Sequence, residues 1–249
     1  HDELTIDSLM GTNFTIRDFR DMLDRAYMHR IIGLIQEEEH ETQLDTNISA
    51  FSPSAKTKIE TPEKLDVNKP KVVIIARNDS RAILNEASLV KMAQGIKFQV
   101  EVLIPQKTTE AIRIYRALNS SDVMIGVHGA AMTRFAFMRP DSACIQIIPL
   151  GTDWAADTYY GLPARKLGSR WLIYKILPQE SSLYNEYEKV DPVLTDPDSV
   201  NNRGCEFTKK IYLDRQNVKL NLRRFLKRLQ RAYRYSMAKK NGHLHHQNQ

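Results

Sequence analysis

Several sequence features are scarce or missing in this chain. Only two of the 249 residues are cysteines, so a scaffold held by several disulfides is excluded. We expect Cys144 to be a buried thiol in a strand and Cys205 to be free in a polar loop. No run of about 18 consecutive apolar residues occurs, so no segment predicts a membrane-spanning helix. The chain opens on His1 without a basic and apolar leader, so we expect no signal peptide within it and expect a piece of a longer protein.

The fingerprints of two large enzyme classes are also missing. No GxSxG elbow and no GxGxxG turn follows a predicted strand, which argues against a serine hydrolase and a dinucleotide-dependent dehydrogenase. Metal-binding patterns are weak. Asp196 and Asp198 form a DxD pattern, but in a proline-containing loop where turn formation explains them. We interpret the acidic run Glu37–Glu39 as a solvated face and the tail histidines as incidental, so no metal site is predicted.

The chain does contain an alternation of short apolar strands and helices. Hydrophobic residues make up 42% of the sequence, which is enough for a core, and the net charge is a modest +6. The alternation predicts an α/β fold with a parallel sheet flanked by helices on both faces. The predicted strands cover 71–76, 98–104, 123–127, 143–148 and 172–177, and the predicted helices cover 15–29, 81–94, 108–118, 132–138, 154–167 and 215–238.

Composition divides the chain into five segments. Residues 1–35 contain one amphipathic helix, and residues 36–70 form an acidic, proline-containing stretch that we interpret as a flexible connection. Residues 71–214 hold the alternation of strands and helices. A long amphipathic and basic helix within 215–240 follows, and the polar tail 241–249 is expected to be disordered.

The clearest candidate site follows the third predicted strand. Strand 123–127 ends in His128-Gly129-Ala130, and a helical run begins at once. A strand that leads into a small-residue turn and a helix N-terminus presents backbone N–H groups to an anion. Ligands of open α/β sheets collect at such strand ends. The structural alternative is a buried turn with a capping histidine, and the residues alone leave both interpretations open.

A second candidate site follows the first predicted strand. Arg77 and Arg81 come after its end, and Asn85 and Glu86 follow one turn later. Guanidinium groups bind phosphate oxygens bidentately, so this pair of arginines suits a diphosphate. Glu86 could accept a sugar hydroxyl or orient an arginine. Alternatively, the segment is a surface loop whose arginines pair with Asp79 and Glu86.

The basic face of the final helix has three interpretations. It could bind nucleic acid or an anionic membrane surface, it could be a solvated face, or the helix could pack its apolar stripe on another domain. Phe225 and Tyr233 fall on its apolar stripe and not on its basic face, unlike the aromatics of a nucleic-acid platform. A structural role is therefore favoured, and no nucleic-acid partner is expected.

Taken in order, the motifs resemble the plant branch of glycosyltransferase family 61, the xylan arabinosyl- and xylosyltransferases. The resemblance covers nearly the whole chain apart from the acidic connection and the last residues. An ordered set is far more specific than any one motif. The matching segments are DFRDMLDRAY (18–27), RNDSRAILNE (77–86), SSDVMIGVHGAAMTRFAFMRPDSACIQIIPLG (120–151), WAADTYYGLPARKLG (154–168), YKILPQESSLY (174–184), DPVLTDP (191–197) and IYLDRQNVKLNLRRF (211–225).

The resemblance implies a GT-B-like fold in which residues 1–35 are the remnant of a first half-domain. It implies inverting transfer from a UDP-linked sugar to a polysaccharide such as xylan or to a glycoprotein, with no metal ion or other cofactor. It also implies a lumenal location at the Golgi membrane, attached only through an anchor outside this chain. The N-glycosylation candidates in that setting are Asn13, Asn47, Asn78 and Asn119.

The family motifs also imply roles for individual residues. The residues that match the R-x3-R-x3-NE and HGA motifs, and are expected at the donor diphosphate, are Arg77, Arg81, Asn85, Glu86, His128, Gly129 and Ala130. Glu180 and Ser181 match an ESS element and are candidates for a donor-sugar or nucleoside contact. The catalytic base is unassigned, with Asp18 and His128 as weak candidates.

Two residues depart from the pattern of the family. The HGA motif more often continues as HGAGLTN, whereas this chain has Ala131 and Arg134, departures that bear on donor choice and on activity. The resemblance predicts a glycosyltransferase that moves a sugar, in the first instance a pentose. The alternatives are an inactive nucleotide-sugar or glycan-binding remnant of such an enzyme, and a basic nucleic-acid-binding domain that acts through residues 219–240.

Overall fold

A parallel sheet forms the centre of the molecule. The computed structural model of the chain describes residues 15–49, 69–105 and 111–247. Within these residues the sheet has five strands in the order β2-β1-β3-β4-β5, and every neighbouring pair is parallel. The strands are β1 (Lys71–Ile75), β2 (Gln99–Leu103), β3 (Val123–Val127), β4 (Ala143–Ile148) and β5 (Arg170–Lys175). The predicted α/β class and parallel sheet are confirmed.

Helices connect the strands and cover the sheet. Between β3 and β4 the connection is a 3₁₀ helix, and between β4 and β5 it is a pair of α-helices joined by one π turn. The helices are α1 (Ile16–Ser49), α2 (Glu86–Gly95), α3 (Ala111–Asn119), the 3₁₀ helix (Ala130–Phe137), α4 (Asp153–Ala156), the π turn (Asp157–Gly161), α5 (Leu162–Leu167), α6 (Pro192–Thr195), α7 (Pro197–Asn201), α8 (Cys205–Thr208) and α9 (Leu222–Gln247). None of the helices described here is both long and apolar enough to cross a bilayer.

Alternate residues of the central strands face two different apolar layers. In β1, Val72 and Ile74 belong to one buried cluster, whereas Val73 and Ile75 belong to the other. The first layer includes residues of α2 and α9, and the second includes residues of α3, the 3₁₀ helix and α5. Because both faces are covered, every residue of β3 and β4 is buried, as expected for strands at the centre of a parallel sheet.

The first helix is longer than its sequence pattern predicts. We expected a helix over 15–29 and a flexible connection from residue 36, but α1 continues to Ser49. The boundary at 36 is therefore wrong, and residues 36–49 are helical. Their sequence contains no proline or glycine and is rich in glutamate and glutamine, which favour helix. Residues 50–68, the rest of the predicted connection, lie outside the described residues.

The final helix begins later and ends later than predicted. The helix expected over 215–240 begins at Leu222, and its backbone continues to Gln247, through most of the tail that we expected to be disordered. Phe225, Leu229 and Ala232 of its apolar stripe are fully buried, and the helix contacts β4, β5 and α2. The stripe therefore packs on this sheet and not on another domain, so the helix is part of the α/β fold.

Residues 215–221 leave the helical path because they pair with other segments. Val218 forms bridges with Ile83 on one side and with Ser181 on the other. The same pairing delays α2, which we predicted from Arg81 but which begins at Glu86. Three distant segments, 80–86, 180–182 and 216–221, are thus joined through their backbones. We call this arrangement the three-segment junction.

Candidate functional site

The two predicted motifs meet where the order of the strands reverses. The chain passes from β1 outward to β2, whereas β3 lies on the other side of β1. Such a reversal leaves a crevice at the carboxyl ends of the two central strands, where open α/β sheets bind ligands. The segment 77–81 follows β1, and His128-Gly129-Ala130 follows β3. Because β1 and β3 are parallel neighbours, both motifs lie at the same edge of the sheet.

The arginines contact the glycine turn directly. Arg81 Nη1 donates a hydrogen bond to the carbonyl oxygen of His128, at 3.1 Å. A Cβ atom added to Gly129 would lie 2.5 Å from Arg81 Nη1 and 3.4 Å from Arg77 Nη1. Gly129 also has a φ of +142°, which side-chain-bearing residues rarely adopt. Glycine is therefore required here both for the backbone path and for the approach of two guanidinium groups.

Arg81 is held in its place by the three-segment junction. Its φ is +61°, an uncommon value for a residue other than glycine. Its N–H donates to the carbonyl of Gln216 at 2.6 Å, and the N–H of Ala82 donates to Asn217 Oδ1 at 2.9 Å. A backbone strained in this way persists only where the surroundings impose it, and such residues cluster at functional sites.

Positive charge accumulates around the glycine turn. Burial, and then the nearby charge of Arg77, lower the pKa of the Arg81 guanidinium from its usual value. Burial and Arg77 lower the pKa of Arg134 in the same way. Arg81 Nε is buried and has no hydrogen-bond partner among the described residues. A bound anion would relieve the mutual repulsion of these three guanidinium groups.

The surface-loop alternative holds for one arginine and fails for the other. Arg77 pairs with the exposed carboxylate of Asp79, at 3.0 Å, and also donates to the carbonyl of Ser80, at 2.8 Å. The hydrogen bond from Arg77 lowers the pKa of Asp79. Arg81 instead donates to the HGA turn. The alternative that predicted both arginines to pair with Asp79 and Glu86 is therefore wrong for Arg81.

Asn85 has a structural role in place of the diphosphate contact that we expected. Its Nδ2 donates to the carbonyl of Leu220, and its Oδ1 accepts from the N–H of Leu220, both at 2.9 Å. Both ends of the amide are thus used to hold the 216–221 segment. Glu86 is the first residue of α2 and is half-buried.

Glu180 and Ser181 lie inside the protein, in the same junction. The Glu180 carboxylate accepts hydrogen bonds from the Tyr174 hydroxyl and the Arg224 guanidinium. It also accepts from the backbone N–H groups of residues 177 and 221, at 2.8 and 2.6 Å. Ser181 Oγ donates to Gln216 Oε1 at 3.0 Å. The two residues that we predicted to contact the donor sugar or nucleoside are therefore engaged in holding the segment that positions Arg81.

His128 is buried at the end of β3, with 7% of its surface exposed. Its Nδ1 lies 3.0 Å from Gln146 Nε2, and its ring packs edge-to-face on Tyr160, with the ring centroids 5.4 Å apart. Burial, and then the charge of Arg81, lower the pKa of His128 to about 4. The imidazole is therefore neutral at pH 7.

Neither candidate for the catalytic base has the properties of a strong base. The low pKa of His128 makes it a weak acceptor of protons. Thr15 and Asp18 form a capping box at the start of α1: the Asp18 carboxylate accepts from the Thr15 N–H and hydroxyl, both at 2.7 Å, and the Asp18 N–H donates to Thr15 Oγ1 at 3.3 Å. The hydrogen bonds to its carboxylate lower the pKa of Asp18. The capping box accounts for Asp18 without catalysis.

Arg81 lines a cleft of about 820 Å³, large enough for a ligand the size of a nucleotide. Trp154 also lines this cleft and is 60% exposed, an unusual value for a tryptophan. Sequence reasoning missed this residue, although its position just after β4 was a usable signal. The other lining residues are Asp198, Asn201, Asn202, Cys205, Glu206, Thr208, Lys209, Leu213 and Asp214.

The carboxylates, histidines and thiols of the described residues do not form a metal-binding group. Over the described ranges, no group of three or more His, Cys, Asp or Glu side chains could hold a metal ion. Asp196 caps α7 by accepting from the N–H of Ser199 at 3.3 Å, which is the turn role that we expected. Both cysteines are free thiols; Cys144 is buried, which raises its pKa to about 12, and Cys205 is exposed.

The predicted glycosylation sequons lie in different settings. Asn78 is exposed in the turn between the two arginines. Asn119 Oδ1 accepts a hydrogen bond from the buried Arg20. Asn47 belongs to the helical backbone of α1, and nothing further is described for its side chain. Asn13 lies outside the described residues.

The family comparison fits this geometry. The model of the glycosyltransferase 61 family matches residues 20–145, about half of the chain. The chain belongs to glycosyltransferase family 61. The matched range includes both arginines and the HGA turn, and the predicted resemblance to the family is confirmed.

Three curated relatives of the chain are glycosyltransferases according to their names. The chain is 50% identical over 239 residues to a xylan glycosyltransferase of Arabidopsis thaliana, an alignment that covers 95% of this chain and 45% of that protein. It is 37% identical over 158 residues to an alpha-1,3-arabinosyltransferase of Oryza sativa subsp. japonica, covering 63% and 27%. It is 33% identical over 168 residues to a beta-1,2-xylosyltransferase of the same plant, covering 67% and 36%. The chain thus spans less than half the length of each of these three relatives.

Proposed function

We propose that this chain carries the donor site of an inverting glycosyltransferase that moves a pentose from a UDP-sugar to xylan, with a glycoprotein as the other acceptor class. The observation that carries the proposal is the convergence of Arg77 and Arg81 on Gly129, at the reversal of strand order. We further propose that the sheet is one half of a GT-B-like fold at the lumenal side of the Golgi membrane.

The chemistry of the departing group matches these residues. When the bond to the sugar breaks, negative charge develops on the diphosphate of UDP, and pre-arranged donors that face this charge lower the barrier. Arg77, Arg81 and Arg134 supply positive charge, and the 3₁₀ helix after Gly129 has no side-chain cap on its first N–H groups. Because fixed cations and backbone donors carry the charge, the proposed transfer requires no metal ion or other cofactor.

The cleft beside Arg81 suits the nucleoside of the donor. Its volume of about 820 Å³ lies in the usual range for ligand pockets. The exposed indole of Trp154 offers a flat face for a base or a sugar ring, and base–aromatic stacking is worth roughly 1–3 kcal/mol. The names of the relatives support a xylan acceptor and a pentose donor. Inversion also requires a base that deprotonates the acceptor hydroxyl. We assign this role to neither Asp18 nor His128.

Calorimetry with UDP tests the proposal. We expect the folded chain to bind UDP equally well in Mg²⁺ buffer and in EDTA. A folded chain that does not bind UDP would refute the donor site, and binding that EDTA abolishes would refute metal independence. Binding without transfer of labelled pentose to xylan oligosaccharides by this chain would indicate a binding remnant. Tight RNA binding that weakens steeply with salt would point instead to the basic helix.

Gly129→Ala is expected to weaken UDP binding by about 10- to 100-fold, the equivalent of losing one or two charge-assisted hydrogen bonds. The new Cβ would lie 2.5 Å from Arg81 Nη1 and would displace the guanidinium. Calorimetry with UDP measures the effect.

Gly168→Ala is the matched control. Gly168 lies before β5 and also has a positive φ, +94°, but an added Cβ would make only ordinary contacts, the nearest with Arg17 Nη2 at 3.6 Å. It therefore carries the strain of the backbone without the clash, and it should keep the wild-type affinity for UDP. Equal affinities for the two variants would contradict the proposed contact between Gly129 and the arginines.

A further inference from the structure

Gln146 is an unusual residue for its position. It lies in the middle of β4, where all the other residues are apolar and buried, and it is itself fully buried. A buried polar side chain destabilises the fold unless it is hydrogen-bonded. Its Oε1 atom has no partner among the described residues, and its only hydrogen bond there runs from Nε2 to His128. Packing alone would favour an apolar residue at this site.

The geometry of the sheet explains how Gln146 reaches the histidine. Gln146 lies opposite Gly126 in the pairing of β4 with β3. Residues two apart along a strand share one face of the sheet, so Gly126 and His128 lie on the same face. The Gln146 amide extends diagonally to the ring of His128, with Nε2 at 3.0 Å from Nδ1, while Met132 fills the space over Gly126.

We propose that Gln146 is a positioning residue that holds His128 in the Nε2–H tautomer, so that the imidazole donates a hydrogen bond to the donor diphosphate. The amide NH2 group can only donate, so Nδ1 must accept and the ring proton must lie on Nε2. The reversed amide would leave a buried NH2 group without an acceptor in place of an unpaired carbonyl oxygen. An unpaired carbonyl is the more tolerated of the two defects.

The diphosphate contact rests on the proposed function, whereas the tautomer does not. No hydrogen bond from the described residues engages His128 Nε2. The ring lies at the HGA turn, where the backbone carbonyl of His128 accepts a hydrogen bond from Arg81. A neutral Nε2–H next to guanidinium groups complements a phosphate oxygen. The same tautomer leaves the ring without a free lone pair, which explains why His128 is not the base.

The tautomer is measurable by long-range ¹H–¹⁵N NMR of histidine-labelled chain at pH 7, with His128 assigned from a His128→Gln variant. We expect the Nε2–H form in the wild type. Gln146→Met removes the donor at nearly the same volume, and we expect it to yield a mixture of tautomers and about tenfold weaker UDP binding. Gln94→Met, at an exposed site of α2, is the control and should change neither quantity.

Gln146→Glu is a second variant, which we expect to favour the other tautomer of His128, with the proton on Nδ1. A carboxylate facing Nδ1 would draw the proton to that atom and raise the pKa of His128 above its wild-type value. The other groups that act on this ring are Arg81, Asp153 and Tyr160, and all three remain unchanged. An Nδ1–H tautomer in the wild type would overturn the proposal even if neither variant folds. An unchanged tautomer in folded Gln146→Met would overturn it too.

Addition of UDP tests the diphosphate contact of His128 separately from its tautomer. Addition of UDP should shift the Nε2 resonance of His128. UDP that binds without this shift would refute the diphosphate contact alone. A chain that shows the Nε2–H tautomer but binds no UDP would refute the proposed function, while the role of Gln146 in positioning the ring would stand.

Discussion

Arg81→Ala is expected to reduce the affinity for UDP by at least about 100-fold, the largest functional effect among the variants considered for this chain. Arg81 is the guanidinium that contacts the HGA turn, lines the cleft and lacks a carboxylate partner at hydrogen-bonding distance among the described side chains. Its pKa is lowered by burial and by Arg77, so the free protein already bears an electrostatic cost that a diphosphate relieves. Calorimetry with UDP measures the loss.

Two further variants make this result specific. Arg81→Lys keeps the charge but not the planar fork, so we expect it to recover only part of the affinity. Arg223→Ala removes an exposed arginine of α9 and should bind UDP normally. Alanine at a φ of +61° is no more strained than arginine, so the melting temperature should change little. Wild-type affinity in Arg81→Ala would refute its place in the donor site.

Glu180→Ala is expected to lower the free energy of unfolding by about 2–4 kcal/mol, because each buried donor left without an acceptor costs about 1–3 kcal/mol. Its carboxylate binds the Tyr174 hydroxyl, the Arg224 guanidinium and two backbone N–H groups, and only 4% of the residue is exposed. Removing it leaves the N–H groups of residues 177 and 221 without this acceptor, whereas the Tyr174 hydroxyl still donates to the carbonyl of Asn221 and the Arg224 side chain is 38% exposed to water. Urea unfolding followed by circular dichroism measures the change.

The control for this prediction is Glu186→Ala. Glu186 forms an exposed ion pair with Arg215, at 2.7 Å, and such pairs contribute about 0–1 kcal/mol. At low temperature, folded Glu180→Ala should bind UDP within a few-fold of the wild type. A small change in stability combined with altered selectivity for the donor sugar would instead support the sugar contact implied by the family motif.

Local sequence was a good guide to the chemistry of the site and a poor guide to the partners of each residue. Two arginines after one apolar strand and an HGA turn after another were enough to place both motifs at one edge of a parallel sheet, and the structure confirms this. Asn85 and Glu180 belong to equally clear motifs, yet both hold the 216–221 segment. Asn85 binds the N–H of Leu220, 135 positions away, and Glu180 binds the N–H of residue 221, 41 positions away, contacts that no local pattern reveals.

Arg134 and Gln146 had little signal in the sequence, and the tertiary structure brings both to the site. Arg134 stood out in the sequence only as a departure from the family motif, but the fold brings it near Arg77 as a third cation. Gln146 had no signal beyond its polarity within an apolar strand. The positioning role proposed for it depends on the register of β4 with β3, and strand register is a property of the assembled sheet.

The sequence alone determined the α/β class, the parallel sheet, the family and the edge of the sheet at which the site lies. These follow from apolar periodicity and from short motifs, which act over a few residues. The tertiary structure alone decided where α2 and α9 begin, which arginine faces the turn, and which polar residues support it. Those outcomes depend on pairing between the 80–86, 180–182 and 216–221 segments, because a buried backbone group is satisfied by whichever distant partner the fold brings to it.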